Sequence, residues 1–347
     1  MHLPSIGRAM SPALLSNLLD PPILFFLLGT VIGLLRSNLD VPQPIAKFLS
    51  LYLLMAIGFK GGVALAKTGV SPQMGLALAA AVILAVGVPL WTYAVLRRRL
   101  STFDAAAVAA TYGSVSAVTF IAANQFLERQ GVAFGPYMTV ALVVMESPAI
   151  VMAVLLASLA RKRMREQGAL SPGGARAGTP ASVGEVVREA FTDGAHLLLI
   201  GSLFIGWLSG DAGQAALKPF IGDVYKGLLC FFLLDMGLLV SRRLRELPPG
   251  RAFLLGFGIG VPLVNAAGAL GLAMLFGLGA GDATLLMVLG ASASYIVVPA
   301  VLRHAIPEAN PGLYFGLALG ITFPFNMALG VPLYLGAAQA ALGWLGR

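Results

Sequence analysis

The chain has 347 residues, of which 58% are hydrophobic and 11% charged, with a formal net charge of +8 and a mean hydropathy of +0.87. Soluble domains carry roughly 25% charged residues, so this chain has too few to cover a water-facing surface. Whole-chain disorder and a disulfide-stapled secreted domain are excluded as well, and the basic surplus avoids the apolar runs, which points to membrane orientation and not to nucleic acid.

Crossing the hydrocarbon takes about 20 mostly apolar residues. Ten such runs follow in order: 18–35, 44–66, 74–96, 103–123, 134–160, 191–209, 217–240, 252–277, 282–302 and 312–340. The first ends at Arg36 and lacks the basic start and small-residue exit of a cleaved signal peptide. The single cysteine, Cys230, lies inside the seventh and reads as a small buried hydrophobe. Small polar residues interrupt the fourth and ninth. Between the fifth and sixth lies a segment that is not membrane-like, 161–190, basic at its start and then rich in Gly, Ala, Ser and Pro; it reads as a solvated linker. The expected organisation is a first unit at 1–160, a linker at 161–190 and a second unit at 191–347.

Loops after the odd-numbered runs hold fifteen Lys and Arg, whereas the opposite side, with both termini, holds five. The excess puts the linker in the cytoplasm and both termini outside.

The two halves resemble each other. The stretch around Gly58-Phe59-Lys60-Gly61-Gly62 matches the one around Leu233-Leu234-Asp235-Met236-Gly237 at a shift of 175, Gly113-Ser114-Val115-Ser116-Ala117 matches Ala291-Ser292-Ala293-Ser294-Tyr295 at 178, and Glu146-Ser147-Pro148 matches Thr322-Phe323-Pro324 at 176. Three matches in one order at nearly one shift indicate an internal repeat. Five spans per half would turn the second half over, an arrangement found in many secondary transporters. The predicted fold is therefore an all-α polytopic membrane protein, with ten transmembrane helices in two inverted five-helix repeats whose fourth and ninth helices are interrupted.

Ser114 and Ser116 face different ways on a regular helix and can serve one site only if the backbone unwinds, which Gly113 permits. A half-helix N-terminus at mid-depth presents unpaired N–H groups and a positive dipole end, which can hold an anion. Gly113, Ser114, Ser116 and Thr119, with Ala291, Ser292, Ser294 and Tyr295, are the candidate anion-binding residues. Close packing of small residues accounts for either motif taken singly; the repetition favours a site. Glu146 lies mid-span beside Pro148, which frees a carbonyl, and Thr322 and Asn326 flank Pro324. These three are the candidate cation-binding residues, for Na⁺ or a proton. Lys60 and Asp235 lie too far apart along the membrane normal to pair; Lys60 is expected to snorkel outward and Asp235 to find a partner near the cytoplasmic face. His2, His196 and His304 show no metal-ligand spacing. No nucleophile–base pair, Walker motif or dinucleotide fingerprint is present, so the chain reads as a transporter and not an enzyme.

Ala56-Ile57-Gly58-Phe59-Lys60-Gly61-Gly62, Gly113 to Thr119, Glu146-Ser147-Pro148-Ala149, Gly290 to Tyr295 and Ile306-Pro307-Glu308-Ala309-Asn310-Pro311 run nearly end to end, and in that order the chain resembles the sodium-dependent bicarbonate transporter family. The resemblance implies a core domain moving against a gate domain, a homotrimer in a bacterial inner membrane, and bicarbonate uptake between the broken fourth and ninth helices. Na⁺ would be the coupling ion, with no other cofactor. A cytosolic PII-like signalling protein binds cyanobacterial members, and the basic inner loops here offer it a surface. The chain departs from the family pattern at Tyr295, where an acid is usual, at Glu146, where an aspartate is usual, and around Phe323 to Asn326. Two other readings remain open at this point: transport of another small organic anion, and a membrane sensor that recruits a cytosolic partner through residues 161–190.

Overall fold

The computed structural model describes residues 12–166, 188, 194–246, 251–295, 298, 302 and 305–344. All regular elements among them are helices. Most of the linker, with Arg303, His304 and His2, lies outside the described residues.

Local chemistry sets the helix starts. A short α1 (Pro12–Leu18) precedes α2 (Pro21–Leu34), which opens on Pro21 and Pro22, where a missing N–H costs nothing. α3 (Gln43–Thr68) opens beside Pro44 and stops at Gly69, whose φ is 68°. α4 (Pro72–Leu96) starts under Ser71, whose side chain accepts from the Met74 N–H. α5 (Thr102–Gly113) is capped by Ser101, and α6 (Ala117–Arg129) by Ser116. Next come α7 (Tyr137–Glu166), α8 (Gly194–Leu217), α9 (Tyr225–Glu246), α10 (Arg251–Leu275) and α11 (Ala280–Ala291). The last stretch, α12, runs from Pro311 to Trp344 and contains π-helical segments at Gly316–Thr322 and Asn326–Gly330, on either side of Pro324.

Among the described residues, six helices are long and apolar enough to cross a membrane: Gln43–Thr68, Pro72–Leu96, Thr102–Arg129, Gly194–Asp223, Ala252–Leu275 and Pro311–Gly343. Of the remaining apolar runs, Pro21–Leu34 and Ala280–Ala291 hold shorter apolar helices, α7 continues to Glu166, and α9 carries three arginines in its last turns. Large apolar side chains such as Phe204, Ile205, Trp207 and Leu208 on α8 are exposed. An apolar surface that size needs a cover other than water, and lipid supplies one.

The helices pack as two groups. α2 lies against α9 and α3 against α8, and α9 also meets α3. Glycines make these pairs tight: a Cβ on Gly29 would stand 2.1 Å from the Leu234 carbonyl oxygen, and one on Gly62 would stand 1.9 Å from that of Leu203. The second group joins α4, α5, α7, α10, α11 and α12. Fewer contacts join the groups, mainly α9 with the Gly316–Thr322 turn. Ion pairs fasten the loops at both ends, Arg242 with Asp40 and Arg161 with Glu308 at one, Lys67 with Asp211 and Arg129 with Asp20 at the other.

Candidate functional site

Two helices stop in mid-bundle at the serine motifs. α5 ends at Gly113, and Ser114 and Ser116 take extended backbone angles. α11 ends at Ala291 and Ser292 is extended. Gly113 is required by contact: a Cβ there would stand 2.1 Å from Pro89 Cγ on α4. The two interruptions meet. Ser116 N–H donates to Ser292 Oγ at 3.0 Å, and Ser294 N–H donates to the Thr111 carbonyl at 2.9 Å. Ser292 Oγ in turn donates to the Leu289 carbonyl. Backbone groups stripped of helical partners are thus satisfied across the gap, as burial demands.

Ser116 is the hub. Its Oγ accepts from the N–H and the hydroxyl of Thr119 and reaches Tyr295 Oη at 3.4 Å. Beside it lies a partly open cavity of about 30 Å³, lined by Ser116, Ala117, Ser294, Tyr295, Glu146 and His196 over an apolar floor of Leu54, Leu142 and Leu199. At about 10–15 Å³ per water, that is room for a small oxyanion or two waters. The cavity lies in the seam between the groups, since α3 and α8 supply one wall and α7 and the two interruptions the other. Ser114 Oγ is buried with no hydrogen-bond partner among the described residues.

A family model described as the Na⁺-dependent bicarbonate transporter superfamily matches residues 21–339. The chain belongs to that superfamily. A search of curated proteins gave no match. The family and the exposed apolar helices together make it an integral membrane protein of a transporter family.

In this superfamily member the expected anion-binding residues sit together at the crossing, with distinct roles. Ser116, Ser294 and Tyr295 line the cavity. Ser292 bridges the interruptions, Thr119 braces Ser116, Gly113 packs on Pro89, and the Ala291 carbonyl accepts from Asn326 Nδ2 at 2.9 Å. The N–H groups of Ser116, Thr119 and Ser294 already have acceptors in the protein. Hydroxyls and the first turn of α6 at Ala117 are left to face a ligand.

The three expected cation-binding residues have separate partners. Glu146 Oε2 lies 2.9 Å from His196 Nδ1, in the cavity wall. Thr322 Oγ1 bonds Tyr112 Oη at 2.6 Å and the Gly258 carbonyl at 2.8 Å. Asn326 bonds Ala291 and accepts from Tyr334 Oη at 2.7 Å. Glu146 therefore shares its surroundings with Ser116 and Ser294, whereas Thr322 and Asn326 brace α12 against α5, α10 and α11. Among the described residues no group of three or more His, Cys, Asp or Glu gathers; the oxygens beside Glu146 suit a hard cation.

The Lys60 ammonium lies 4.1 Å from the centre of the Tyr225 ring, at the start of α9, which offers it a π-face. Asp235 lines a second cavity, of about 250 Å³, with Lys47 and Arg243. Tyr295 borders both cavities. His196 is the residue that sequence reasoning missed. It is 3% exposed, near the start of α8, and no local pattern announces a partner fifty positions earlier.

Proposed function

We propose that the protein is a secondary transporter importing bicarbonate with Na⁺ by alternating access. The observation that carries this reading is the pair of helix interruptions, which meet at a small cavity in the seam between two helix groups. Secondary transporters use interrupted helices in this way, and rocking of one group against the other opens such a site to each side in turn. In this reading Ser116, Ser294, the Ala117 end of α6 and the unpartnered Ser114 hydroxyl receive the anion, and Glu146 supplies the carboxylate of the cation site. Thr322 and Asn326 act through the positions of α5 and α11.

The same reading has ten spans in two inverted repeats, 1–160 and 191–347, joined by a cytoplasmic linker. The packing supports it: exchanging the halves turns the α3–α8 pair into the α9–α2 pair, and the α4–α5 pair into the α10–α11 pair. The charge excess on the linker side supports inward-facing odd-numbered loops in a bacterial inner membrane, where a PII-like regulator would meet them. A homotrimer completes the proposal, with exposed apolar faces such as that of α8 shared between lipid and neighbouring copies.

Labelled-bicarbonate uptake into proteoliposomes tests it, with an inward Na⁺ gradient against a K⁺ control and pH clamped on both sides, because CO₂ crosses lipid unaided. Uptake that requires Na⁺ and is lost in Glu146→Gln is the expected result. Uptake indifferent to Na⁺ would remove the coupling, and no uptake under any gradient would remove the cargo.

A further inference from the structure

A row of cavities runs along α3 from the crossing toward one end of the bundle. The small cavity at the interruptions has Leu54 and Ala117 in its wall. A further void, of about 20 Å³, also touches Leu54 and Ala117 and reaches Ser50 and Phe232. Ser50 and Phe232 in turn line the cavity of about 250 Å³, together with Lys47 one turn earlier on α3. Tyr295 borders the first and the last of the three. The distance from Leu54 to Lys47 along the helix is about 10 Å, at a rise of about 1.5 Å per residue.

The largest of these cavities lies in the seam, at the end where α3 and α12 begin and α9 finishes. Lys47, Asp235 and Arg243 belong to α3 and α9 in one helix group, whereas Phe315 and Leu319 belong to α12 in the other. Two ion pairs mark the same end: Arg242 with Asp40 at 2.8 Å, and Arg161, where the linker segment starts, with Glu308 at 3.0 Å. Beside the cavity runs the main junction between the groups, α9 against the Gly316–Thr322 turn. A movement of one group against the other therefore widens or narrows this cavity.

Its charges suit an anion. Lys47 is exposed and Arg243 half-buried. The Arg243 guanidinium stands 5.1 Å from the centre of the Phe315 ring, across the seam. A guanidinium is a planar fork of donors that pairs with two oxygens of one oxyanion, and an ammonium adds a compact point charge. Asp235 contributes one carboxylate, so the wall keeps an excess of one positive charge. A cleft with an excess of one sign between apolar walls, here Phe232, Met236 and Leu239, focuses the field and concentrates ions of the other sign.

We propose that the larger cavity is the linker-side vestibule of the transport path, in which Lys47 and Arg243 receive the cargo anion after it leaves the crossing. This rests on the reading of the crossing as the anion-transport site. The void shared by Leu54 and Ser50 marks the way between them, and the Tyr295 ring is the wall that the anion passes. Ser116 and Ser294 hold the cargo at mid-depth, and the two cations meet it nearer one face. They act on that face alone, by charge, and a neutral or cationic solute gains nothing from them.

Thiol labelling of the full-length chain tests the proposal without relying on flux. Ser50→Cys, with Ala46→Cys as a second probe in the same wall, is placed in a Cys230→Ser background. Each is treated with an anionic and a cationic methanethiosulfonate in inverted and right-side-out membrane vesicles. Labelling is expected in inverted vesicles only, with the anionic reagent favoured and slowed by excess bicarbonate. Adding Lys47→Gln and Arg243→Gln together should lower the anionic-to-cationic rate ratio about tenfold, the low end of what charge focusing does to capture rates, and remove the protection. Lys47→Arg with Arg243→Lys should keep the ratio, which separates charge from packing. A ratio unmoved by the Gln pair, or labelling from the opposite face, would overturn the vestibule and leave the transport reading standing. A charge-dependent ratio with no protection by bicarbonate would overturn the role of the two cations toward the cargo. Wild-type vesicles that take up no bicarbonate would overturn the reading beneath.

Discussion

Asp104 and Asp282, 178 positions apart, do the same job at opposite ends of the bundle. Each sits in the first turn of a helix that stops at an interruption. Each carboxylate accepts a backbone N–H from the loop leading into another helix, Asn310 to Asp104 at 2.7 Å and Gly135 to Asp282 at 2.6 Å. The interrupted helices are pinned at their outer ends, which leaves their inner ends to meet.

Stability should register this pinning unequally. Asp282 is 8% exposed and also accepts from Tyr137 Oη, whereas Asp104 is more open. Bonds to charged groups contribute about 1.5–3 kcal/mol each. Asp282→Asn is therefore expected to lower the melting midpoint of the purified protein by more than Asp104→Asn does. Equal, negligible shifts would show that neither carboxylate holds its loop.

The serines separate by role. Ser292→Ala strips the acceptor from the buried Ser116 N–H, at a cost of about 1–3 kcal/mol, so both thermal stability and uptake should fall. Ser114 Oγ has no partner to lose. Ser114→Ala should keep the melting midpoint and weaken bicarbonate binding, read as a raised KM. An unchanged KM would take Ser114 out of the anion site.

Tyr295 stands between the smaller cavity and the larger one lined by Lys47, Asp235 and Arg243, and its ring packs edge-on against Phe323 at 5.5 Å. Tyr295→Ala should join the two cavities, so the flux that persists without Na⁺ should rise relative to the Na⁺-dependent flux. Tyr295→Phe keeps the wall and loses a 3.4 Å contact with Ser116, so its flux ratio should stay close to wild type. A leak in Phe and none in Ala would refute the partition.

Close packing within the α2–α9 and α3–α8 pairs makes a sharp test of the fold. A Cβ on Gly62 or Gly237 would stand 1.9 or 2.2 Å from a carbonyl oxygen of the facing helix, whereas one on Gly201 or Gly268 meets nothing within 4 Å. Overpacking against backbone costs about 1–3 kcal/mol or more. Gly62→Ala and Gly237→Ala should sharply lower the yield of monodisperse protein, and Gly201→Ala and Gly268→Ala should not. Size-exclusion profiles of the four decide it.

Much of the site was legible because its cause is local. Gly113 followed by alternating serines, and Ser292 with Ser294 at the matching place, mark where helices must stop, since a serine that caps one helix cannot also continue the one before. That the two stops would touch followed from the repeat. The sequence groups Glu146 with Thr322 and Asn326, and the structure gives them different hydrogen-bond partners, because a proline kink identifies a break in a helix and says nothing of which face of the bundle that break looks upon. The partner of Lys60 was hidden for a related reason: only the fold brings the Tyr225 ring over its ammonium.

The order of residues by itself determined the membrane class, the apolar runs, the caps and the two interruptions, all of which depend on hydropathy and backbone chemistry within a few neighbours. Only the tertiary structure decided that Glu146 faces His196 and not Thr322, that Tyr295 divides two cavities, and that the site lies in a seam. Those are contacts between helices far apart in sequence. Their partners are chosen by which small residues let two backbones approach, and in an apolar chain nearly every helix face is chemically alike until packing selects one.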